Sequence, residues 1–270
     1  MKGVFTYHAL KLEYIQIGEG EETFFAFHGF GRKPEDFRVF ETWLKPNQRI
    51  ISISLFAHGE SFFPPERIPY EPLQQSEWKN IMLALMDFFS VKTFHLIGYS
   101  MGGRICLMTL QLMPESVNRV LLLAPDGLKV NLLYRFASGT SLGRKIYRSI
   151  IDNPSRLFAV AKWLNKVGIL HDKLHRFVHV HLDTHEKRWQ VYDAWLIYKN
   201  MFPHLPMLAG IIRKREQSFH MVFGKYDSII KPYLGKKFSK MIGSDQHMHV
   251  VDAGHRLMTE EALRSVKGLW

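Results

Sequence analysis

Short, mainly apolar runs recur along this 270-residue chain, and most of them are followed by a segment with helical spacing. Residues 23–27, 93–97 and 119–123 are three such runs, and 23–27 is the continuous one. A strand that is apolar at every position is buried on both faces, as in a parallel sheet covered by helices. Strands that alternate with helices of about 10–15 residues indicate a doubly wound fold. The sequence therefore predicts an α/β protein with a doubly wound, mostly parallel sheet.

The alternation stops after Pro125 and resumes at Phe219. The stretch between them is mostly helical by pattern, with helices predicted over residues 155–167 and 185–198. A helical insertion of this kind is expected to cover the carboxyl edge of the sheet, where open α/β sheets bind their ligands. The chain divides accordingly into two predicted domains: a core of residues 1–125 and 217–270, and a helical cap of residues 126–216.

A glycine-rich turn, GYSMGG at positions 98–103, separates a predicted strand from a predicted helix. In this setting the pattern G-x-S-x-G places the serine on a sharp, strained turn with its oxygen above the sheet. Gly98 and Gly102 have to be small because they approach each other across that turn. The N-terminus of the following helix supplies backbone N–H groups and a partial positive charge. Ser100 is therefore predicted to be a nucleophile.

A neutral serine needs a base within hydrogen-bond distance and a third group that orients the base. The order expected along the chain in this kind of sheet is serine, acid, histidine. Asp227 and His255 each follow a predicted strand in the last part of the chain, so both are expected at the same edge of the sheet as Ser100. Asp126, which follows residues 119–123, is an alternative acid. The predicted catalytic residues are Ser100, Asp227 and His255.

Charge that develops on a substrate oxygen needs N–H donors aimed at it. The backbone N–H of Met101, directly after the nucleophile, is one predicted donor. The N–H of Phe30 is the other, because it lies in the sequence HGFG at the end of an earlier strand. His28 and His58 begin the turn motifs HGFG and HGES, and both are expected to have structural or oxyanion-loop roles.

The chain resembles the capped members of the α/β-hydrolase superfamily in five motifs. They are HGFG at 28–31, HGES at 58–61, GYSMGG at 98–103, GKYD at 224–227 and DAGH at 252–255. The resemblance runs from about residue 23 to the C-terminus, with the cap unassigned, and it implies the fold, the triad and acyl chemistry at Ser100. Many relatives place an aspartate shortly before the HGxS turn, where this chain reads SLFA at 54–57. This difference is expected to weaken the turn but not the triad.

The residues around the serine leave several activities open. The sequence GYSMGGR is similar to the corresponding turn of the SHCHC synthases of the menaquinone pathway, lyases that use the triad to eliminate pyruvate from a polyanionic substrate. Tyr99 and Arg104 are therefore candidate substrate-binding residues. The main prediction is a serine hydrolase that cleaves a carboxylic ester or related acyl compound through an acyl-enzyme on Ser100. Such a lyase, a meta-cleavage carbon–carbon hydrolase and a ligand-binding receptor with a vestigial triad are the alternatives.

The formal net charge is +11, and it is concentrated in the predicted cap. Residues 126–216 contain 16 Lys or Arg against 7 Asp or Glu. This excess predicts a solvated basic surface, and attraction of an anionic substrate or of an anionic membrane surface are sharper alternatives. Lys162, Lys166 and Arg188 are candidate residues for that attraction. A small-molecule partner is expected rather than nucleic acid, because the sequence contains no basic-aromatic module of a known type.

The single cysteine, Cys106, cannot form an internal disulfide. Because neither an apolar leader nor an apolar run of about 18 residues is present in the sequence, we expect a cytoplasmic protein without a transmembrane segment. The predicted chemistry needs no cofactor and no metal. His171, His175 and His179 are spaced one helical turn apart, but no carboxylate at metal-ligand spacing accompanies them. A solvated or packed helix is therefore expected there.

Overall fold

The computed structural model describes residues 1–155, 184–215 and 218–269, and a sheet of eight strands lies at the centre of that part of the chain. The strands are β1 (Lys2–Tyr7), β2 (Leu10–Ile17), β3 (Glu22–Phe27), β4 (Gln48–Ile53), β5 (Phe94–Tyr99), β6 (Val117–Leu123), β7 (Ser218–Gly224) and β8 (Met248–Val251). Their spatial order is β1-β2-β4-β3-β5-β6-β7-β8. Strands β3 to β8 are parallel, whereas β1 and β2 form an antiparallel edge. The predicted doubly wound, mostly parallel sheet is confirmed.

Helices follow most of the strands. They are α1 (Gln75–Phe88), α2 (Met101–Leu112), α3 (Leu132–Gly139), α4 (Ser141–Asp152), α5 (His185–Ile197), α6 (Leu205–Arg215), α7 (Tyr233–Ile242) and α8 (Glu260–Arg264). Residues Pro34–Trp43 form a 3-10 helix. Phe37 and Phe40 fit this geometry, because residues three apart lie directly above each other in a 3-10 helix, and both rings are fully buried.

Both faces of the sheet are covered, as the apolar sequence of β3 requires. Successive side chains of a strand point to opposite faces. Phe24 belongs to an apolar cluster that also contains Phe37 of the 3-10 helix. Phe27 packs instead against Trp78 of α1, with ring centroids 5.6 Å apart. Helical elements therefore pack on each face, and β3 has no solvent-facing side that would call for polar residues.

The chain forms two compact units whose boundaries differ from the predicted ones. The first unit comprises Met1–Pro64, Leu73–Lys129 and Asn200–Trp270, and the second comprises Pro65–Pro72 and Val130–Lys199. Helix α6, which the sequence assigned to the cap, thus belongs to the first unit. It buries Leu208, Ala209 and Ile212 and packs against α2 and α7. The helical pattern alone did not distinguish a helix packed beside the sheet from a cap helix.

The second unit has a core of its own. Helices α3, α4 and α5 pack against one another. The Tyr134 hydroxyl donates to the Trp195 carbonyl at 2.9 Å, and Tyr147 lies against Trp195 with ring centroids 5.4 Å apart. Arg188 is buried here, and its Nε donates to the Ile151 carbonyl at 3.1 Å. This contradicts the prediction of Arg188 as a surface charge, because the guanidinium is used inside the unit.

Several predicted features lie outside the described residues. They are the helix over 155–167 beyond Ser155, Lys162, Lys166, His171, His175 and His179. Within the described ranges, every helix is too short or too polar to cross a bilayer.

Candidate active site

The predicted site residues meet at the carboxyl edge of the parallel strands. Phe30 follows β3, Ser100 follows β5, Asp227 follows β7 and His255 follows β8. Strand β3 lies between β4 and β5, so the connections that leave β3 and β5 turn away from each other. In open α/β sheets, a reversal of strand order of this kind opens a crevice that binds ligands. The topology alone thus brings the loops that carry these residues to one place.

Ser100 has the strained backbone expected of a sharp strand-to-helix turn. Its φ is 51° and its ψ is −114°, a conformation that is costly for a residue with a side chain. The Ser100 N–H donates to the Leu123 carbonyl at 2.9 Å. The Ser100 carbonyl accepts from the N–H groups of Gly103 and Asp126, both at 2.9 Å. These three hydrogen bonds hold the turn and offset its strain.

The glycines of the turn are required by close contacts. A methyl group on Gly98 would stand 2.8 Å from the Gly102 carbonyl oxygen and 2.7 Å from Cys106 Sγ. A methyl group on Gly102 would overlap the carbonyl oxygen of Phe27 in β3. The two glycines therefore do approach each other, and Gly102 also lets α2 approach the backbone of the neighbouring strand.

His255 connects Ser100 with Asp227. Its Nδ1 lies 2.7 Å from Asp227 Oδ2, and its Nε2 lies 3.1 Å from Ser100 Oγ. An ionised carboxylate is an acceptor and never a donor. With Asp227 ionised in its buried position, His255 Nδ1 therefore carries the proton, and the Nε2 lone pair faces Ser100. Asp227 Oδ1 accepts from the N–H groups of Ile229 and Ile230 at 2.8 and 2.9 Å. An imidazole held in this way can take the proton of a serine hydroxyl.

Tyr99, a candidate substrate-binding residue, makes its polar contact with the protein. Its hydroxyl donates to the His255 carbonyl at 3.0 Å, and its ring lies 5.5 Å from the imidazole. Burial raises the pKa of this phenol to about 12, so the hydroxyl keeps its proton at neutral pH. The structure thus places Tyr99 where it fixes the position of the His255 loop.

The loop after β3 lies beside Ser100 and is fixed by hydrogen bonds. A methyl group on Gly29 would stand 3.1 Å from Ser100 Cβ, so this backbone runs close to Ser100. The Arg32 N–H donates to the Gly29 carbonyl at 3.2 Å, which closes a turn that contains Phe30. The Gly31 N–H donates to His58 Nε2 at 2.9 Å. Met101 is the first residue of α2, where a helical N–H has no partner within its own helix.

Two buried histidines support this loop in their neutral form. His28 Nε2 accepts from the Leu55 N–H at 3.0 Å, and its Nδ1 contacts the Gly29 carbonyl at 2.7 Å. Burial, together with a smaller effect of the neighbouring His58, lowers the pKa of His28 to about 3. Burial also lowers the pKa of His58 to about 4. Both rings can therefore accept a backbone N–H at neutral pH, from Leu55 and Gly31 respectively.

Glu13 is a buried carboxylate that the sequence reasoning missed. From β2 it accepts the Glu60 N–H at 2.7 Å, and its Oε1 lies 2.6 Å from Lys2 Nζ. The HGES turn thus receives a carboxylate from a distant strand, although the aspartate common before this turn in relatives is missing. Residues 54–57 alone suggested a turn without a carboxylate, but Glu13 supplies one. The signal was a glutamate within an otherwise apolar part of β2.

The buried Arg104 and the half-buried Asp126 form a separate pair. Arg104 Nε lies 3.5 Å from Asp126 Oδ2, and its guanidinium carbon lies 4.4 Å from the centre of the Phe202 ring. The Arg104 side chain is 3% exposed. Asp126 Oδ1 accepts the Gly127 N–H at 2.7 Å. The structure thus brings Asp227, rather than the alternative acid Asp126, to His255, and it directs Arg104 into the protein.

Comparison with known proteins gives a consistent result. A family model described as alpha/beta hydrolase fold matches residues 23–145. The chain is 32% identical over 118 residues to the dihydrolipoyllysine-residue acetyltransferase component of the acetoin cleaving system of Pseudomonas putida, a match that covers 43% of this chain and 30% of that protein. It is 23% identical over 251 residues to an uncharacterized hydrolase of Bacillus subtilis (strain 168), covering 90% of this chain and 86% of that protein.

Solved structures share the fold at low identity. A thermophilic esterase from Thermogutta terrifontis superposes with a TM-score of 0.68 at 15% identity, over 99% of this chain and 96% of that one. A doubly wound sheet, a strained serine turn and the family match thus agree. The described residues thus have an α/β-hydrolase fold, and the part of the chain that matches the family model is residues 23–145.

Proposed function

We propose that this chain is a serine hydrolase that cleaves a small carboxylic ester or related acyl compound through a Ser100 acyl-enzyme. One observation carries the proposal: His255 contacts Ser100 Oγ at 3.1 Å with one nitrogen and Asp227 at 2.7 Å with the other. A serine is activated as a nucleophile when a base within hydrogen-bond distance is itself oriented by an acid. The esterase with the same fold supports the reaction class by analogy only.

In the first half of the reaction, Ser100 Oγ attacks the carbonyl carbon while His255 Nε2 takes the hydroxyl proton. Asp227 stabilises the resulting imidazolium and keeps its own negative charge. The N–H groups of Met101 and Phe30 receive the negative charge that develops on the carbonyl oxygen. Collapse of this intermediate breaks the bond to the leaving group, which takes the proton from His255.

In the second half, water attacks the acyl carbon on Ser100. His255 Nε2 now takes a proton from that water and returns it to Ser100 Oγ as the acid leaves. The bond between carbon and Oγ breaks, and the enzyme is restored. The same N–H donors act in both halves, so a fixed loop after β3 serves every step. The hydrogen bond from Gly31 to His58 supports this role of the loop.

Labelling with a fluorophosphonate probe tests the proposal directly. The wild type, Ser100→Ala and the exposed-serine control Ser265→Ala are compared, with p-nitrophenyl esters of several chain lengths assayed in parallel. We expect the wild type and the control to be labelled and to hydrolyse esters, and Ser100→Ala to do neither. A folded wild type that is neither labelled nor active on any ester would contradict the proposal and favour the receptor alternative.

The lyase alternative receives no support from Arg104, whose guanidinium lies against Asp126 and Phe202. Trapping distinguishes the two chemistries. A hydrolase stopped by acid during turnover carries an acyl group on Ser100 that intact-mass measurement detects. A lyase that only abstracts a proton releases pyruvate and carries no such adduct. Pyruvate release without an adduct would replace the hydrolase proposal.

A preference for anionic substrates remains a proposal with a narrower basis than the sequence suggested. The positive charge of residues 126–216 supports it, but Arg188 is buried and cannot contribute as a surface charge. Hydrolysis of a neutral ester and of its carboxylate-bearing analogue at low and high salt tests it. Selectivity for the anionic ester that is lost at high salt is expected, and equal rates at both salt concentrations would contradict it.

A further inference from the structure

Helices α3 and α4 present the same pattern of side chains to solvent. Ser141 and Arg148 of α4 are exposed as well, but the shared pattern is formed by Leu132, Arg135, Phe136 and Gly139 on α3 and by Leu142, Lys145, Ile146 and Ser149 on α4. Within each helix these positions are i, i+3, i+4 and i+7, which lie on one face. Each face therefore carries one basic residue between two large apolar residues and ends in a small one. We refer to α3 and α4 together as the helical hairpin.

Four large apolar side chains of the helical hairpin are unusually exposed to solvent. Leu132 is 79% exposed, Leu142 is 62% exposed, and Phe136 and Ile146 are 42% and 45% exposed. The opposite faces are used inside the second unit, since Tyr134 and Ala137 of α3 and Ile151 of α4 are buried. Large exposed apolar groups that are neighbours on one face of a helix mark a surface that meets another apolar phase or partner.

The charged residues of the segment that forms the helical hairpin have one sign. Residues 127–151 contain no Asp or Glu but five Lys or Arg. Arg135 and Lys145 lie on the exposed faces. A second copy of the chain docked face to face would bring these cations against their own copies, because a two-fold contact pairs a patch with itself. An occupant that offers both negative charge and an apolar interior fits the pattern better.

We propose that the helical hairpin docks on the surface of an anionic lipid bilayer, with its leucine, phenylalanine and isoleucine side chains entering the acyl region and Arg135 and Lys145 at the headgroups. Helices with large apolar groups on one face and Lys or Arg beside them bind in this manner, parallel to the membrane plane. The docking goes beyond the proposed ester hydrolysis and does not use Ser100. It would bring a lipid-partitioned ester close to the enzyme.

Vesicle flotation tests the docking. The wild type is mixed with vesicles of phosphatidylcholine alone or of phosphatidylcholine with phosphatidylglycerol. A charge variant, Arg135→Gln with Lys145→Gln, and an apolar variant, Leu132→Gln with Leu142→Gln, are compared with it. The matched control is Lys236→Gln with Lys240→Gln on the exposed face of α7, which removes the same charge elsewhere. Because all these positions are exposed, each variant is expected to fold and to keep its hydrolysis of p-nitrophenyl acetate.

The wild type is expected to float with the anionic vesicles and not with phosphatidylcholine alone. The charge variant should partition roughly thirtyfold less, because each basic residue near an anionic surface contributes about 1 kcal/mol. The apolar variant should partition roughly tenfold less or weaker still. The α7 control should change by less than about threefold, since its lysines do not contact the bilayer. Ser100→Ala should float as the wild type does, so failure of the docking and failure of the proposed hydrolysis can be told apart.

Three results would overturn the docking. The first is a wild type that does not float with anionic vesicles. The second is an α7 control that loses as much binding as the charge variant, which would indicate general attraction of a basic protein. The third is a dimer in light scattering that the apolar variant dissociates, which would identify a second copy as the occupant. Binding to vesicles that depends on the arginine and lysine but not on the leucines would point to a purely acidic partner and would also count against it.

Discussion

Asp227 uses its two carboxylate oxygens differently. Oδ2 contacts His255 Nδ1, while Oδ1 accepts two backbone N–H groups from its own loop. The loop therefore fixes the carboxylate, and the carboxylate fixes the tautomer of the imidazole. A single substitution can separate these two roles, because an amide keeps one oxygen acceptor and loses the charge.

Asp227→Asn is expected to lower kcat by about 10³–10⁴-fold, because the amide no longer stabilises the imidazolium or holds the correct tautomer. The loop hydrogen bonds to Oδ1 can persist, so the melting temperature should change little. Steady-state kinetics with a p-nitrophenyl ester measures the effect. Asp126→Asn is the matched control and should keep nearly full activity. A larger loss of activity in Asp126→Asn than in Asp227→Asn would reverse the assignment of the acid.

Tyr99→Phe distinguishes positioning from substrate binding. The variant loses the hydrogen bond to the His255 carbonyl, and such a bond is worth about 1 kcal/mol. We expect kcat to fall about fivefold while KM stays within about twofold, because the imidazole loses its fixed position but the substrate loses no contact. An unchanged kcat with a raised KM would instead restore the substrate-binding role predicted from the sequence.

At the scale of elements, the contact between α2 and β3 depends on one glycine. Gly102→Ala would push a methyl group into the Phe27 carbonyl, so we expect the free energy of unfolding to fall by about 3 kcal/mol or more. Gly210 in α6 is the matched control, because a methyl group there meets no atom within 4 Å. Gly210→Ala should raise the free energy of unfolding by about 0.5–1 kcal/mol through helix propensity. Urea denaturation of both variants checks the pair, and equal effects would contradict the close approach of helix and strand.

The elements of the sheet were predictable because their signals are local. The runs 23–27 and 119–123 lie within β3 and β6, because strands that are buried on both faces are mainly apolar. The serine turn was predictable for the same reason, because Gly98 and Gly102 approach each other within a few residues, although Gly102 also lies against Phe27 of a distant strand. The contacts of Glu13 with Glu60 and of Tyr99 with the His255 carbonyl join residues far apart in the chain, and no local pattern encodes them. The assignment of α6 also depended on which neighbours a helical face meets.

At the scale of the whole molecule, buried neutral histidines couple folding to pH. Burial lowers the pKa of His58 and of His95 to about 4 and that of His28 to about 3, whereas unfolded histidine titrates near pH 6.5. Below pH 6.5 these histidines become protonated in the unfolded chain, whereas they stay neutral in the folded protein. The contribution of these histidines to the free energy of unfolding is therefore fully present above about pH 6.5 and is lost as the pH falls towards 4.

We expect the free energy of unfolding to decline between pH 7 and pH 4.5, with each such histidine contributing up to about 1.4 kcal/mol per pH unit. His58→Gln should reduce this slope, because the amide oxygen can accept the Gly31 N–H without titrating. Urea denaturation across the pH range measures the slope. A slope that is the same in His58→Gln and in the wild type would show that His58 does not contribute.

Cys106 is fully buried against the serine turn, and burial raises the pKa of its thiol well above the usual range. Because Cys106 is the single cysteine of the chain, we expect the folded protein not to react with thiol reagents. Alkylation of Cys106 would therefore report the opening of the core with no background. A cysteine introduced at Phe136 would be the one reactive thiol of the native state. The emission of a polarity-sensitive dye attached there would show whether the helical hairpin moves from water into a lipid bilayer.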